Sequence, residues 1–241
     1  MLYRIAHLLR DQMPWVWNSL EVLNSFMFLM RYGKKIRKVE PEEIAFFESR
    51  FKENDAEYKI CPIRAFSTKS LVDFFTHQPS QAYRFFKPHG FDEKSIRRLQ
   101  KNRAFLGYVV IDTSNNRIAG YCFNRSFFHG KGFRGRMVDI DYRGKGLGTM
   151  MNCLLNSIGF GIGLKLFETV SKNNVASYRS SVSASNFKVV KELPHNELYL
   201  EILNDMKQKQ SKNLTNRGGK IIIIRLQPIY NASYKQERRV A

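Results

Sequence analysis

The sequence predicts an α/β protein (α+β, mixed sheet) in which a β-sheet with flanking helices follows a helical segment at the amino terminus. Strand-like and helix-like patterns alternate from residue 63 onward, which is typical of this fold class. A glycine-rich turn at residues 143–148 joins a strand pattern to an amphipathic helix pattern. The 241 residues are enough for one complete domain and an appended segment.

The predicted elements follow the order βααβββαβαββ. Apolar alternation and turn residues predict six strands before the carboxyl-terminal tail, at residues 63–66, 105–112, 117–127, 133–140, 164–170 and 188–190. A last strand is predicted at residues 221–226. Helical periodicity predicts helices at residues 70–77 and 92–102, a helix that begins at Leu147, and a helix at residues 175–185. The three strands between residues 105 and 140 are expected to form a meander.

The turn at residues 143–148 has the composition of a phosphate-binding site. Gly144, Gly146 and Gly148 let backbone N–H groups approach an anion, and the following helix adds the positive end of its dipole. Arg143 and Lys145 add formal charge. The dinucleotide fingerprint GxGxxG and the Gly-Lys-Ser/Thr ending of a Walker A loop are both absent, so neither nucleotide-binding motif explains the turn.

Arg143, Gly146 and Gly148 form an RxxGxG motif after a strand with the pattern V-x-x-x-Y. With this motif the chain resembles the GNAT acetyltransferase superfamily, whose members bind the pyrophosphate of acetyl-CoA on the same turn. Residues 171–187 resemble the family's second signature, although Asn186 stands where glycine is usual. The resemblance implies a GNAT-like acyl-CoA N-acyltransferase fold with an N-terminal helical extension. The expected divisions are the N-terminal helical segment at residues 1–58, the acetyltransferase domain at residues 59–229 and a basic C-terminal tail at residues 230–241.

The resemblance also implies that acetyl-CoA is the co-substrate and that no metal takes part. The residues it assigns to the co-substrate are Val138, Ile140, Arg143, Gly144, Lys145, Gly146, Leu147, Gly148, Thr149, Asn173 and Asn174.

Acetyl transfer to an amine needs a base, an oxyanion donor and a proton for the departing thiolate. The base candidates are Glu168 first and Asp139 second, because each lies on one of the two strands expected to part for the pantetheine arm. Backbone N–H groups at residues 138–140 are the expected oxyanion donors. Tyr178 is the candidate acid, with Ser181 in reserve. The structural alternatives are that Glu168 is a solvated carboxylate and that Tyr178 is a packing aromatic.

Residues 80–92 resemble a segment that covers the acceptor side of the cleft in some GNAT acetyltransferases. Tyr83, Arg84 and His89 are therefore candidates for binding the acceptor, and the alternative is an aromatic capping segment. The expected acceptor is a small-molecule primary amine, with an amino sugar or nucleotide-linked amino sugar as the hypothesis that Arg84 motivates. Protein lysines or amino termini, and a non-catalytic CoA-binding or nucleic-acid-binding module, are the alternatives.

The net charge of +19 indicates that the partners include something acidic. Nucleic acid is disfavoured because no helix-turn-helix, zinc-finger or RNP motif accompanies the basic clusters. The three cysteines, Cys61, Cys122 and Cys153, lack metal-ligand spacing. They predict free thiols in a reducing compartment and thus a cytoplasmic protein.

The first sixty residues lie outside the resemblance. Leu2, Ile5, Leu8 and Leu9 predict a short apolar helical face, and residues 13–30 are rich in apolar side chains that polar residues interrupt. Neither a membrane-spanning helix nor a signal peptide is expected. One hypothesis is packing on the catalytic domain or on another copy in a homo-oligomer. The other is peripheral membrane contact through residues 1–38, with tryptophans at headgroup depth and basic residues 31–38 on lipid phosphates.

Overall fold

The structure is a computed structural model and describes residues 13–52 and 58–204. Its centre is a seven-stranded mixed sheet with the strand order β1-β2-β3-β4-β5-β7-β6. The strands are β1 (Tyr58–Pro62), β2 (Phe105–Asp112), β3 (Arg117–Ser126), β4 (Lys131–Val138), β5 (Lys165–Ser171), β6 (Phe187–Leu193) and β7 (Glu197–Ile202). The helices are α1 (Pro14–Lys52), α2 (Thr68–His77), α3 (Glu93–Lys101), α4 (Leu147–Ile162) and α5 (Val175–Ala184).

The predicted order of elements is confirmed from the first strand to the strand near residues 188–190, as is the meander β2-β3-β4, and two differences stand out. The first strand lies at Tyr58–Pro62, while residues 63–65, placed in a strand by the sequence, form a 3-10 turn. Pro62 has no N–H to donate, so it suits the end of an edge strand. The sequence prediction also missed β7, which forms a hairpin with β6. The strand predicted at residues 221–226 lies outside the described residues.

Apolar side chains cover both faces of the sheet. On one face, α1, α4 and α5 pack over residues such as Tyr108, Cys122 and Leu200. On the other face, α2 and α3 pack over an aromatic-rich group that includes Tyr121 and Phe123. The three cysteines are free thiols, as expected.

Helix α1 is a single 39-residue helix that continues through Pro41. Its carboxyl-terminal half is fixed to the domain by Glu40, which is buried and accepts hydrogen bonds from the Tyr108 hydroxyl and from the Arg64 guanidinium. Phe28 and Tyr32 pack in the same core cluster as α4. In the described part of the chain, no helix has both the length and the apolar character needed to cross a membrane.

Candidate active site

Strands β4 and β5 part in the middle of the sheet and open a cleft. They pair in parallel only from Lys131 opposite Lys165 to Phe133 opposite Phe167. Beyond this point a cleft of about 740 Å³ separates them. Because β4 leads into the glycine turn and the start of α4, the cleft opens directly at the predicted phosphate site.

The glycine turn has the geometry that an anion needs. Gly144 and Gly146 have φ angles of +79° and +77°, which lie in the left-handed region, and a Cβ at either position would meet nothing within 4 Å. Glycine is therefore required there by backbone conformation, and the space above the turn stays open for a ligand. Gly146 is the N-cap of α4 and supplies no side-chain cap, so the first N–H groups of the helix remain available.

Most of the residues assigned to the co-substrate line this cleft. They are Val138, Arg143, Gly144, Gly146, Leu147, Gly148, Thr149 and Asn174. Asn174 also caps α5, since its Oδ1 accepts a hydrogen bond of 3.1 Å from the Ser177 N–H. Ile140, Lys145 and Asn173 are exposed and are not among the lining residues.

The backbone of β4 presents donors to the cleft. The Asp139 N–H donates to the Ala119 carbonyl of β3 at 3.0 Å. Successive backbone groups of a strand point to opposite edges, so the N–H of Val138 points toward the cleft. The same alternation directs the N–H of Arg136 to that edge. These positions fit the expectation of oxyanion donors at residues 138–140 only in part, because the Asp139 N–H is already used within the sheet.

A buried group of charged side chains lies under α4 and α5. The side chains of Arg134 and Glu168 are 0% and 3% exposed and form an ion pair with an N–O distance of 2.7 Å. Arg136 lies 3.7 Å from the same carboxylate and is 8% exposed. Two positive charges against one negative charge leave this group with an excess of one positive charge. Burial lowers the pKa of Arg136 to about 10, so its guanidinium stays charged at neutral pH.

Glu168 is not the solvated carboxylate that one sequence hypothesis described. Burial raises the pKa of Glu168, but the charge and hydrogen bond of Arg134 and the charge of Arg136 outweigh burial, and the net shift is downward. A carboxylate held in its charged form by two arginines is a weak proton acceptor. Its position in the cleft matches the prediction, whereas its surroundings favour an anchoring role.

The other catalytic candidates lie outside the cleft lining. Asp139 is buried and caps a 3-10 turn through the Asp141 N–H, and it accepts a hydrogen bond of 2.7 Å from the Gln78 side chain. Tyr178 packs against Phe187, with ring centroids 6.0 Å apart. Ser181 is fully buried and donates to the Ser177 carbonyl.

The face of α5 that borders the cleft carries a different hydroxyl, that of Ser180. Its Oγ accepts hydrogen bonds from Arg136 Nε at 3.0 Å and from Asn152 Nδ2 at 3.3 Å. A hydroxyl has two lone pairs and one proton, so both lone pairs are engaged and the proton remains to be donated. Sequence reasoning chose Ser181 and not Ser180 as the reserve acid, because the contact that orients Ser180 comes from Arg136, which is distant in the sequence.

The opposite side of the cleft, on the face of the sheet covered by α2 and α3, is lined by aromatic side chains and one carboxylate. Phe85 and Phe86 line it from residues 80–92. Glu197, on β7, also lines this side of the cleft. It lies opposite Ser171 in the register of β5 and β7, on the same face of the sheet as Tyr199 and Phe167. Among the described residues, no ion pair engages the Glu197 carboxylate. The sequence analysis missed Glu197 together with β7.

The three acceptor candidates are placed differently from the two phenylalanines. The Tyr83 hydroxyl donates to the Phe75 carbonyl, and the ring packs against Phe91. His89 lies in the same aromatic cluster, 2.9 Å from the Tyr121 hydroxyl, and burial lowers its pKa to about 4. Arg84 is exposed and lies over the Phe85 ring, 5.1 Å from its centroid. None of the three is a lining residue of the cleft.

The fold and site together define an α/β domain with an open glycine turn beside two parted parallel strands. Within the described residues, no group of three or more histidine, cysteine or acidic side chains is placed to hold a metal ion. No protein-family model matches the sequence, and no curated protein matches it significantly.

Solved structures match the fold. The GNAT domain of PAT from S. lividans has a TM-score of 0.52 and 10% identity, covering 60% of this chain and 89% of that one. A ribosomal-protein alanine acetyltransferase from Vibrio fischeri has a TM-score of 0.51 and 16% identity, and the match covers 61% of this chain and 93% of that one. A mutant of a spermidine N-acetyltransferase from Vibrio cholerae has a TM-score of 0.51 and 15% identity, and the match covers 64% of this chain and 98% of that one. The chain has the GNAT acetyltransferase fold, as the resemblance implied.

Proposed function

We propose that the protein transfers an acetyl group from acetyl-CoA to a primary amine of a small molecule. The observation that carries this proposal is the continuity between the glycine turn and the cleft where β4 and β5 part. A ligand with a pyrophosphate at one end and a narrow polar arm at the other matches that shape. Acetyl-CoA has this form and supplies a thioester carbonyl that an amine can attack.

The buried polar atoms of the cleft fit such an arm. Arg134 Nη2 and Glu168 Oε1 are buried without a hydrogen-bond partner among the described residues. Buried polar groups are almost always satisfied, so these atoms indicate a polar ligand. The amide groups of a pantetheine arm provide both a donor and an acceptor. At the turn, the N–H groups at the start of α4 and the side chain of Arg143 would hold the pyrophosphate.

In this proposal the two sides of the cleft have separate tasks. On the side of α4 and α5, one of the two N–H groups that β4 presents to the cleft, that of Val138 or that of Arg136, binds the oxygen of the thioester as negative charge develops on it. Ser180 donates a hydrogen bond from its free O–H to the sulfur that leaves and so stabilises the thiolate without giving up the proton. Ser180 takes this role in place of Tyr178 and Ser181, because it lines the cleft and they do not.

On the opposite side, Glu197 is the proposed base and accepts a proton from the amine, directly or through a water molecule. It replaces Glu168, whose carboxylate is engaged by Arg134, and Asp139, which is engaged by Gln78. Glu168 is then a positioning residue that holds Arg134 and Arg136 in place.

The acceptor we propose is an amino sugar, free or linked to a nucleotide. Phe85 is 42% exposed at the cleft and offers an aromatic surface on which a sugar ring or a base can stack. Arg84, over the same ring, can bind a phosphate at the rim. Arg84→Gln should therefore raise KM for a nucleotide-linked amino sugar and leave KM for the free amino sugar unchanged.

Calorimetric titration with acetyl-CoA tests the central claim, and a thiol-release screen over amino sugars, amino acids, polyamines and lysine peptides tests the acceptor. Folded protein that gives no heat with acetyl-CoA would overturn the assignment. Gly146→Asp places a carboxylate at the turn and should abolish binding, whereas Gly163→Asp, at a glycine with a similar left-handed φ of +95° at the other end of α4, should not.

Two matched pairs of variants test the catalytic roles. Ser180→Ala should lower kcat at least about 100-fold, while Ser183→Ala, on the same face of α5, should not. Glu197→Gln should lower activity by a similar factor, while Glu201→Gln on the same strand should not. If the two variants of a pair were equally active, the first residue of that pair, Ser180 or Glu197, would be excluded from catalysis.

A further inference from the structure

The amino-terminal half of α1 carries its apolar residues on the outside of the protein. Trp15, Val22, Phe26 and Met30 recur at steps of seven and four and form one stripe, with 68%, 69%, 62% and 72% of their surface exposed. Four further large apolar residues flank the stripe and are at least one-third exposed: Leu20, Leu23, Met27 and Leu29. Single exposed apolar residues are ordinary, but a continuous stripe of this length marks an interaction surface.

Polar residues of the same helix segment face the domain. Asn24 donates to the Ser126 carbonyl at 3.0 Å and accepts from the Phe128 N–H at 2.9 Å. Ser25 Oγ accepts from the Arg103 N–H at 2.8 Å. One turn before, Glu21 pairs with Arg125, and two turns before, Asn18 accepts a hydrogen bond from Arg98. These bonds fix the rotation of the helix, so the apolar stripe cannot turn inward without breaking them.

The stripe continues directly into basic side chains. Lys34 lies four residues after Met30, and Arg37 lies seven residues after it, so both extend the stripe along the same side of the helix. Both are exposed, as are Arg31 and Lys38 beside them. An apolar stripe followed by cations complements an anionic membrane surface, where apolar side chains enter the headgroup region and cations contact lipid phosphates.

We propose that residues 15–38 of α1 bind the surface of an anionic membrane, with the helix lying in the plane of the membrane. A second copy of the chain fits the stripe less well. Pairing of two such faces would bring the basic residues of two strongly basic chains together, at a net charge of +19 each. The proposal is independent of the acetyl-transfer function, because none of these residues lines the cleft.

Flotation of the full chain with vesicles tests the proposal. We expect binding to vesicles of 70% phosphatidylcholine and 30% phosphatidylserine at low salt, weakened by salt, and much weaker binding to pure phosphatidylcholine. Phe26→Glu with Met30→Glu should weaken binding by more than about 100-fold, since each side chain contributes about 1.5 kcal/mol or more when buried. Phe46→Glu is the matched control, because Phe46 is 54% exposed on α1 but lies on another side of the helix.

Lys34→Gln and Arg37→Gln should each weaken binding about fivefold, at roughly 1 kcal/mol per charge. Thermal unfolding of each variant checks that it is folded. Absence of wild-type binding to the anionic vesicles at low salt would overturn the proposal. Equal binding by the Phe26→Glu, Met30→Glu variant would also overturn it and point to the remaining basic surface. A wild-type dimer that this variant dissociates, without lipid binding, would assign the stripe to a second copy instead.

Discussion

Replacing Glu168 with glutamine should destabilise the protein strongly, although the two side chains have almost the same shape. The Glu168 carboxylate is 3% exposed and balances Arg134 and Arg136, both buried. In Glu168→Gln, two buried guanidinium groups lose their only acidic partner among the ion pairs of the described residues. Removal of one partner of a buried ion pair costs about 3–5 kcal/mol, because the remaining charge is left uncompensated.

That cost can be measured by urea unfolding and by thermal melting. For a domain of this size each kcal/mol lowers Tm by about 2–4 °C, so we expect a fall of about 6–20 °C. The wild-type contribution also depends on pH. Because the folded-state pKa of Glu168 lies below its ordinary value of 4.5, the stabilisation is fully present above that pH and is lost as the pH falls below it.

The matched control is Glu192→Gln, which removes an exposed ion pair with Lys172 and should cost less than about 1 kcal/mol. The double variant Arg134→Met, Glu168→Leu removes charges of both signs and should recover part of the lost stability. A Glu168→Gln protein that unfolds at the wild-type urea concentration would refute the view that this carboxylate compensates two buried cations.

Three further predictions concern other parts of the fold. His89 stays neutral in the folded protein down to its pKa of about 4, whereas the unfolded chain takes up that proton near pH 6.5. The free energy of unfolding should therefore decrease as the pH is lowered from 6.5 to 4, and it should decrease less in His89→Gln. Cys122 is fully buried and burial raises its pKa, so iodoacetamide should label it only in denaturant, as mass spectrometry would show. Asn24→Ala should cost about 1–2 kcal/mol in urea unfolding by removing two hydrogen bonds to the β3–β4 turn, whereas Ser19→Ala should cost less than about 0.5 kcal/mol.

The glycine turn and the meander could be predicted from sequence because their signals are local. A left-handed position favours glycine, and the glycines within residues 143–148 signal such positions without any knowledge of neighbours. The meander strands have alternating patterns and recognisable turns. The hairpin of β6 and β7 was harder, because its turn uses His195 and Asn196 at φ angles of 62° and 59° where glycine would have been a clearer signal.

The roles of charged residues could not be predicted because they depend on neighbours that are distant in sequence. Glu168 lies 34 positions from Arg134, and nothing near it in the chain indicates that an arginine will engage it. Helix α1 shows the same dependence on distant neighbours. Its polar residues were interpreted as interruptions of an apolar segment, whereas they are the contacts that fasten the helix to the domain.

The buried charges connect the stability of the domain to the geometry of the cleft. Arg136 donates to Ser177 and Ser180 on α5 and is itself held near Glu168. In either role Glu168→Gln loses stability, because its ion pairs with Arg134 and Arg136 are lost; if Glu168 were the base, the variant would also abolish turnover, while Glu197→Gln would keep wild-type activity. If Glu168 positions the arginines, the activity of Glu168→Gln falls because Ser180 is no longer oriented by Arg136. Comparing the turnover of Glu168→Gln with that of Glu197→Gln therefore separates a proton acceptor from an anchor, since only an anchor at Glu168 leaves Glu197 as the base.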